Sequence, residues 1–340
     1  MTSPFRLAAV PLLGVALLLA SCSSDEGGSS ATSATAAPST TIDTSTSTTG
    51  ATESAAGVER AAAETETAIA YADASPTETL DLYLPESDGT EAVPVVVLLH
   101  PGAFQMGDSS MEASYAQALV DRGIAAAAVN YRLSGEATFP AGAQDVKAAV
   151  RWLRANAATY GLDPEHVGAW GQSAGGWFAN MLGATGDQAT VFDDDALGNA
   201  DESSAVQAVV SWFGPTDFAT MDEPAAETNC PAGQAQVHGT ADSPESLWLG
   251  EAVDTSPATE QTDITAYVAD AEVLPSWYLA HGDSDCLVPG GQSAQLNDAL
   301  EAAGATVTYE VLEGAGHMDP AFDSTQLAPT VDFLEQALDA

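Results

Sequence analysis

HVGAWGQSAGGWFAN, residues 166–180, sets a short apolar run directly against a cluster of small residues. Val167 to Trp170 have strand character, and the residues after Gly175 suit a helix. Between them, Gly171-Gln172-Ser173-Ala174-Gly175 fits G-x-S-x-G, a strand turning sharply into a helix with the central serine in a strained conformation. A Cβ two residues either side of that serine would meet neighbouring backbone as the turn tightens, so glycine is required there. Gly176 extends the small patch and lets the helix start close to the strand. The turn lifts the Ser173 hydroxyl out of the sheet at the positive end of the following helix. Five residues alone also describe an ordinary glycine-rich turn. The strand-then-helix setting is what makes Ser173 a candidate nucleophile.

Outward from this turn, apolar strands alternate with helical spacing. Strands are expected at Thr67–Asp73, Glu78–Glu86, Val93–His100, Ile124–Asn130, Ala205–Phe213, Ser276–His281 and Thr306–Leu312. Helices are expected at Met111–Arg122, Ala141–Gly161, Gly291–Gly304 and Thr325–Leu338. In the second of these, Val146, Val150, Leu153 and Ala157 form one face and Lys147, Arg151 and Arg154 another. The run VPVVVLLH, ending at His100, is apolar enough for a strand covered on both faces. The fold class is therefore α/β: a mostly parallel central sheet with helices on both faces. From Gly214 to about Asp270 the pattern dissolves into Pro, Asp, Glu and Thr. That is too long for a plain connection and is expected to form a lid-like insertion.

The chain has 340 residues, 45% of them hydrophobic, enough for one large domain with appendages. Arg6 followed by the uncharged run Leu7–Ala20 reads as a signal peptide over residues 1–21. Leu19-Ala20-Ser21-Cys22 resembles the lipobox of bacterial lipoproteins, which would make Cys22 a lipidation site on an exported, envelope-bound protein. Such lipoproteins carry several acyl chains, so membrane contact is expected through this anchor alone. Residues 22–57 are almost all Ser, Thr, Ala and Gly and read as a disordered tether, with the folded domain at 58–340. As a flexible coil the tether spans roughly 30–35 Å.

The formal net charge is −42, from 49 acidic against 7 basic side chains, with Lys147 the only lysine. Such a field disfavours nucleic acid, anionic membrane surfaces and polyanionic substrates. The plain explanation is a surface suited to solubility or saline surroundings.

A serine nucleophile needs a base, and the base needs an orienting acid. Around this kind of turn they follow in the order Ser, Asp or Glu, His. Of the five histidines, His317 in Gly314-Ala315-Gly316-His317-Met318 alone sits in a flexible loop after the last strand. For the acid, the loop His281–Pro289 offers Asp283 and Asp285. Asp285, two residues further from the strand, can point across to the base more easily. Asp283 is then a turn-former, and Asp217 in Gly214-Pro215-Thr216-Asp217 is a turn residue as well. The oxyanion of an acyl-transfer intermediate needs backbone N–H donors. Ala174 supplies one, and Gly102 and Ala103 of the Pro101–Phe104 loop supply others, since Pro101 has no N–H.

Together these residues resemble the α/β-hydrolase superfamily, in the branch of hormone-sensitive-lipase-like and bacterial feruloyl-esterase-like carboxylesterases. The matching positions run from about Thr67 to the C-terminus: His100-Pro101-Gly102-Ala103-Phe104 for the HGGG-type loop, Tyr131-Arg132-Leu133, Trp170–Gly176, His281 to Pro289, and Gly314–His317. The resemblance implies nucleophile, acid and base at Ser173, Asp285 and His317, and a structural ion pair between Arg132 and Asp145. HPGA stands where the family has HGGG, but Pro101 replaces a glycine whose amide is not a principal oxyanion donor. The expected activity is carboxylic ester hydrolysis through an acyl-enzyme, with no metal or organic cofactor. Small neutral esters or esterified polysaccharide are the expected substrates. A serine peptidase of prolyl-oligopeptidase type shares the fold and triad order, but its large propeller domain would not fit in the 66 residues before Thr67. A non-catalytic surface-binding lipoprotein would typically lack one of the three residues.

Two cysteines remain, Cys230 in the insertion and Cys286 beside the proposed acid. In an exported chain they are expected to pair, pinning the insertion to the acid-bearing loop.

Overall fold

The computed structural model describes residues 56–223, 229–231 and 233–338. The signal at 1–21, the lipobox Cys22 and the tether up to residue 55 lie outside the described residues. In chain order the strands are β1 (Glu59–Arg60), β2 (Glu64–Ala70), β3 (Thr79–Leu84), β4 (Ser87–Asp88), β5 (Val93–Leu99), β6 (Ala125–Val129), β7 (Leu162–Gln172), β8 (Ala208–Trp212), β9 (Ser276–Gly282) and β10 (Val307–Leu312). The helices are α1 (Ala113–Val120), α2 (Ala141–Ala155), α3 (Ala157–Tyr160), α4 (Ala174–Thr185), α5 (Pro244–Leu249), α6 (Ile264–Asp270), α7 (Gly291–Ala303) and α8 (Leu327–Leu338).

Eight strands form one sheet in the order β10-β9-β8-β7-β5-β6-β3-β2, and β1 pairs with β4 separately. The six from β10 to β6 run parallel. β3 is antiparallel to both β6 and β2. The apolar runs form strands because both faces are covered. Val95, Val97 and Leu99 join Val146, Val150, Leu153 and Trp177 in one core. Val96 and Leu98 join Leu119, Val331 and Leu334 in the other. Helices α2 and α4 thus lie on one face, and α1 and α8 on the other. This is the doubly covered, mostly parallel sheet that the alternation implies.

The register fixes where chemistry can sit. Leu99 pairs with Gly171, Gln172 with Trp212, Trp212 with Ala280, and Gly282 with Leu312. The carboxyl ends of five parallel strands therefore finish side by side, the usual place for a ligand crevice in such sheets.

Several expected boundaries move. The helix read as Ala141–Gly161 breaks at Asn156, whose side-chain amide donates back to Trp152 O at 2.8 Å. Gly161 then ends the segment at φ +63°. Its basic row is turned inward: Lys147 is buried against Asp193 at 2.7 Å, and the Arg151 and Arg154 guanidinium groups donate to backbone carbonyls between Pro164 and Ala205. Helix α8 starts at Leu327, after a π-helical turn at Phe322–Gln326.

The insertion is less of a lid than its composition suggests. Trp248 of α5 is fully buried, stacked on Phe104 with centroids 4.2 Å apart. Ile264 and Val268 of α6 join the same core. Short helices pack here without long-range periodicity because only one or two side chains of each turn reach the core.

Candidate active site

Ser173 sits between β7 and α4 with φ +53° and ψ −119°, a conformation that L residues rarely hold. The surrounding backbone enforces it. A Cβ on Gly171 would lie 2.0 Å from Gly175 O, one on Gly175 would lie 1.8 Å from Leu99 O, and one on Gly176 would lie 2.8 Å from Gly214 Cα. Ser173 N donates to Trp212 O at 3.0 Å, which ties the turn to β8.

The loop after β10 brings His317 onto this serine: His317 Nε2 lies 2.9 Å from Ser173 Oγ. Its Nδ1 lies 2.7 Å from Asp285 Oδ2. A carboxylate only accepts, so Nδ1 carries the proton and Nε2 is left as the acceptor for the serine hydroxyl. Asp285 is fully buried, and its Oδ1 accepts from Leu287 N at 2.8 Å and Val288 N at 2.9 Å. Burial alone would raise its pKa, but hydrogen bonds from His281 and His317, and their charge, hold the carboxyl below the ordinary carboxylate range. Phe213 packs edge-on to the His317 ring, centroids 4.8 Å apart.

Asp283 has a different task. Its Oδ1 accepts from Gly314 N at 2.7 Å and from its neighbour Ser284 Oγ at 3.0 Å. It clamps the two loops together, a longer-range task than the turn-forming one expected of it. Gly282 permits that approach, since a Cβ there would lie 2.2 Å from Ala315 O. Asp217 caps a short 3-10 turn by accepting from Ala219 N at 2.9 Å.

Cys230 and Cys286 are joined by a disulfide, with Cα atoms 5.2 Å apart. Backbone bonds flank it: Asn229 N donates to Asp283 O at 2.6 Å, and Gln236 N to Cys286 O at 2.9 Å. The insertion is thus attached to the acid-bearing loop at three neighbouring points.

The loop after β5 lies across the turn. Gly102 has φ +141°, and Ala103 and Phe104 follow at +55° and +60°. Gly102 O accepts from Gln105 N at 2.9 Å and Met106 N at 3.1 Å, closing the loop on itself. His100 Nδ1 donates to Pro101 O at 2.9 Å, and Tyr131 Oη donates to His100 O at 2.7 Å. Burial lowers the His100 pKa, keeping the ring neutral. Ala174, the remaining candidate donor, is the first residue of α4 and is buried.

Arg132 grips Asp145 through Nε at 2.9–3.0 Å and Nη2 at 2.5 Å, and its backbone N–H donates to the same carboxylate at 2.8 Å. The pair is buried on the Asp145 side, not solvated.

Two cavities lie near the site, one lined by His317 itself and one by its neighbours Met318 and Phe213. One of about 130 Å³ is lined by Pro101, Glu112, Tyr115, Gln172, Phe213 and Met318 among others. The other, about 560 Å³ and more open, is lined by Gln234, Gln236, Ser284, Cys286, Leu287 and Gly316 with His317 itself. Among the described residues no group of three or more His, Cys, Asp or Glu side chains is placed to hold a metal ion. The sequence reading missed His281 and Glu112 as neighbours of the site. Glu112 had a signal: it precedes Ala116 by four residues and Leu119 by seven, which puts it in line with the buried stripe of α1, into which its 3-10 turn leads.

The BD-FAE family model matches residues 80–300. The chain is 31% identical over 242 residues to esterase LipQ of Mycobacterium tuberculosis, covering 70% of this chain and 52% of LipQ. It is 28% identical over 273 residues to the probable carboxylic ester hydrolase LipM of the same organism, covering 79% of this chain and 60% of LipM. It thus spans a little over half the length of these curated relatives. A solved structure described as a truncated form of carbohydrate esterase from gut microbiota superimposes with a TM-score of 0.70 at 29% identity, covering 84% of this chain and 100% of that one. Since the family model spans well over half of the sequence, from β3 to α7, the chain belongs to the BD-FAE family, a carboxylesterase family of α/β-hydrolase fold.

Proposed function

We propose that the protein is an exported, lipid-anchored serine carboxylesterase, with Ser173, His317 and Asp285 as its catalytic residues. The hydrogen-bonded run from Ser173 Oγ through His317 to Asp285 carries this reading. His317 Nε2 takes the hydroxyl proton as Ser173 Oγ attacks the ester carbonyl carbon. The carbonyl electron pair moves to oxygen, and the amides of Ala174, Gly102 and Ala103 stabilise that oxyanion. Collapse breaks the bond to the alcohol oxygen, which leaves with the proton from His317. Water then repeats the sequence on the acyl-enzyme, releasing the acid and restoring Ser173. Asp285 keeps the imidazole in the required tautomer throughout.

The open cavity lined by His317 and the smaller one lined by its neighbours Met318 and Phe213 offer room for the two arms of a small ester. The carbohydrate esterase likeness supports an esterified sugar as one such substrate, and the acidic chain argues against anionic ones. Purified protein is expected to hydrolyse short aryl esters or acetylated sugars, and Ser173→Ala to abolish this with the fold intact. Failure of wild-type protein to turn over any member of a panel of aryl, acetyl-sugar and feruloyl esters would leave the non-catalytic binding reading in its place. For the anchor, labelled fatty acid should be incorporated into the wild-type precursor and not into Cys22→Ala; incorporation into both would refute lipidation at Cys22.

A further inference from the structure

Glu112 lines the smaller cavity together with Gln172 and Met318, the chain neighbours of Ser173 and His317. Its side chain is fully buried. Oε2 accepts from Gln172 Nε2 at 3.3 Å, while Oε1 has no hydrogen-bond partner among the described residues. A polar atom left unbonded out of water costs stability, so one that lines a cavity calls for a partner. Four aromatic rings form part of the remaining wall: Tyr115, Trp212, Phe213 and Phe322.

We propose that Glu112 is a specificity-determining residue, hydrogen-bonding a hydroxyl on the substrate group that enters this cavity, so that hydroxylated, sugar-like groups are preferred over purely alkyl ones. This rests on the reading of Ser173 as nucleophile. Burial pushes the Glu112 carboxyl up to about 8, opposed only by the Gln172 hydrogen bond. Near neutral pH it is therefore mostly protonated and can both donate and accept, as a hydroxyl can. An anionic group would face the carboxyls of Asp319 and Asp323, which line the same cavity. A cation would be held best only after Glu112 had lost its proton. A neutral hydroxyl needs no change of protonation, and the rings offer apolar surface to the carbon framework around it. Sites built to bond a substrate hydroxyl discriminate strongly against analogues that lack it, because their own polar atom is then stranded.

The test compares kcat/KM for pairs that differ in hydroxyls alone. One pair varies the alcohol arm, methyl 6-O-acetylglucopyranoside against its 2,3,4-trideoxy analogue. The other varies the acyl arm, 4-nitrophenyl 3-hydroxybutyrate against 4-nitrophenyl butyrate. Wild-type protein is expected to favour the hydroxylated member of at least one pair by roughly tenfold or more. Glu112→Gln, which keeps a donor and an acceptor, should retain most of that preference. Glu112→Met, similar in length but apolar, should lose it while still hydrolysing the alkyl esters. The wild-type comparison needs no variant to fold. Turnover of both members at equal efficiency would overturn the role of Glu112 while leaving Ser173 as nucleophile, and so would an unchanged preference in folded Glu112→Met. A stronger preference for acetylcholine than for any hydroxylated ester would overturn it too, by showing a cation site. Loss of all turnover in wild-type protein would instead count against the esterase reading itself.

Discussion

His281 Nε2 lies 3.4 Å from Asp285 Oδ2, the same oxygen that His317 Nδ1 reaches at 2.7 Å. His281 is itself fixed, with Nδ1 2.7 Å from Ser293 Oγ and Nε2 2.9 Å from Val288 O. The Asp285 carboxyl is thus held from the strand end and from its own loop, and only Oδ2 faces His317. Asp285→Asn is expected to lower kcat about 10³–10⁴-fold, since the amide favours the wrong imidazole tautomer. Asp283→Asn, which touches only the loop clamp, should stay within about tenfold of wild type. Steady-state kinetics on a short aryl ester would decide between them, and the opposite ranking would make Asp283 the acid.

Cys286 is the chain neighbour of Asp285, so the disulfide and the acid share one loop. Non-reducing peptide mapping is expected to yield a cross-linked peptide containing Cys230 and Cys286. With a sequence separation of 56 residues, the chain-entropy model gives up to about 4 kcal/mol of stabilisation. The double Cys→Ala variant should unfold at lower urea with part of its activity lost, because the backbone bonds at Asn229 and Gln236 still hold the loop. Two cysteines that alkylate freely in unfolded, unreduced protein would refute the bond.

What the sequence made legible was whatever local sterics or the order of elements control. The elbow could be read because three glycines are demanded by contacts within a few residues and with the ends of the two neighbouring strands. Asp285 and His317 followed from chain order, and their hydrogen bonds depend on a sheet register that five apolar strands leave little freedom to alter. The insertion was opaque because its core contacts are isolated anchors. Trp248 stacks on Phe104, nearly 150 residues earlier, and no periodicity announces such a pairing. The burial of the basic row of α2 is hidden from the sequence for a related reason. Lys147, Arg151 and Arg154 look like a solvent face until the segment between Asp193 and Ala205 covers them.

The Arg132–Asp145 pair is expected to matter for stability more than a surface ion pair would. Asp145 is fully buried, Glu78 lies 3.5 Å from the same guanidinium, and burial already raises the Glu78 pKa. Arg132→Ala leaves two carboxylates without their cation and should destabilise by about 3–5 kcal/mol. Arg132→Lys should recover only part of this, because an ammonium cannot span both carboxylate oxygens. Urea unfolding of the three proteins measures it; a loss below 1 kcal/mol in Arg132→Ala would show that the pair behaves as an ordinary surface contact.

Glu112 gives the stability of the fold a pH dependence of known sign. Its carboxyl ionises at about 8 in the folded protein against 4.5 in an ordinary setting. Between those values the folded state holds a proton that the unfolded state has released, so stability falls as pH rises through this window. The groups around it are Gln172, which donates to it, and the Tyr83, Tyr115 and Tyr131 hydroxyls, all shifted upward in part by its charge. None of these offers a compensating cation. Glu112→Gln removes the titration while keeping shape and hydrogen bonding. The two proteins should have similar unfolding free energies near pH 5. The variant should gain steadily up to about pH 8, reaching an advantage on the order of 2–5 kcal/mol. Other carboxyls titrate in both proteins and cancel in the difference. Urea midpoints at pH 5, 6, 7 and 8 give the curve, and an offset that stays constant across that range would show that Glu112 is already ionised in the fold.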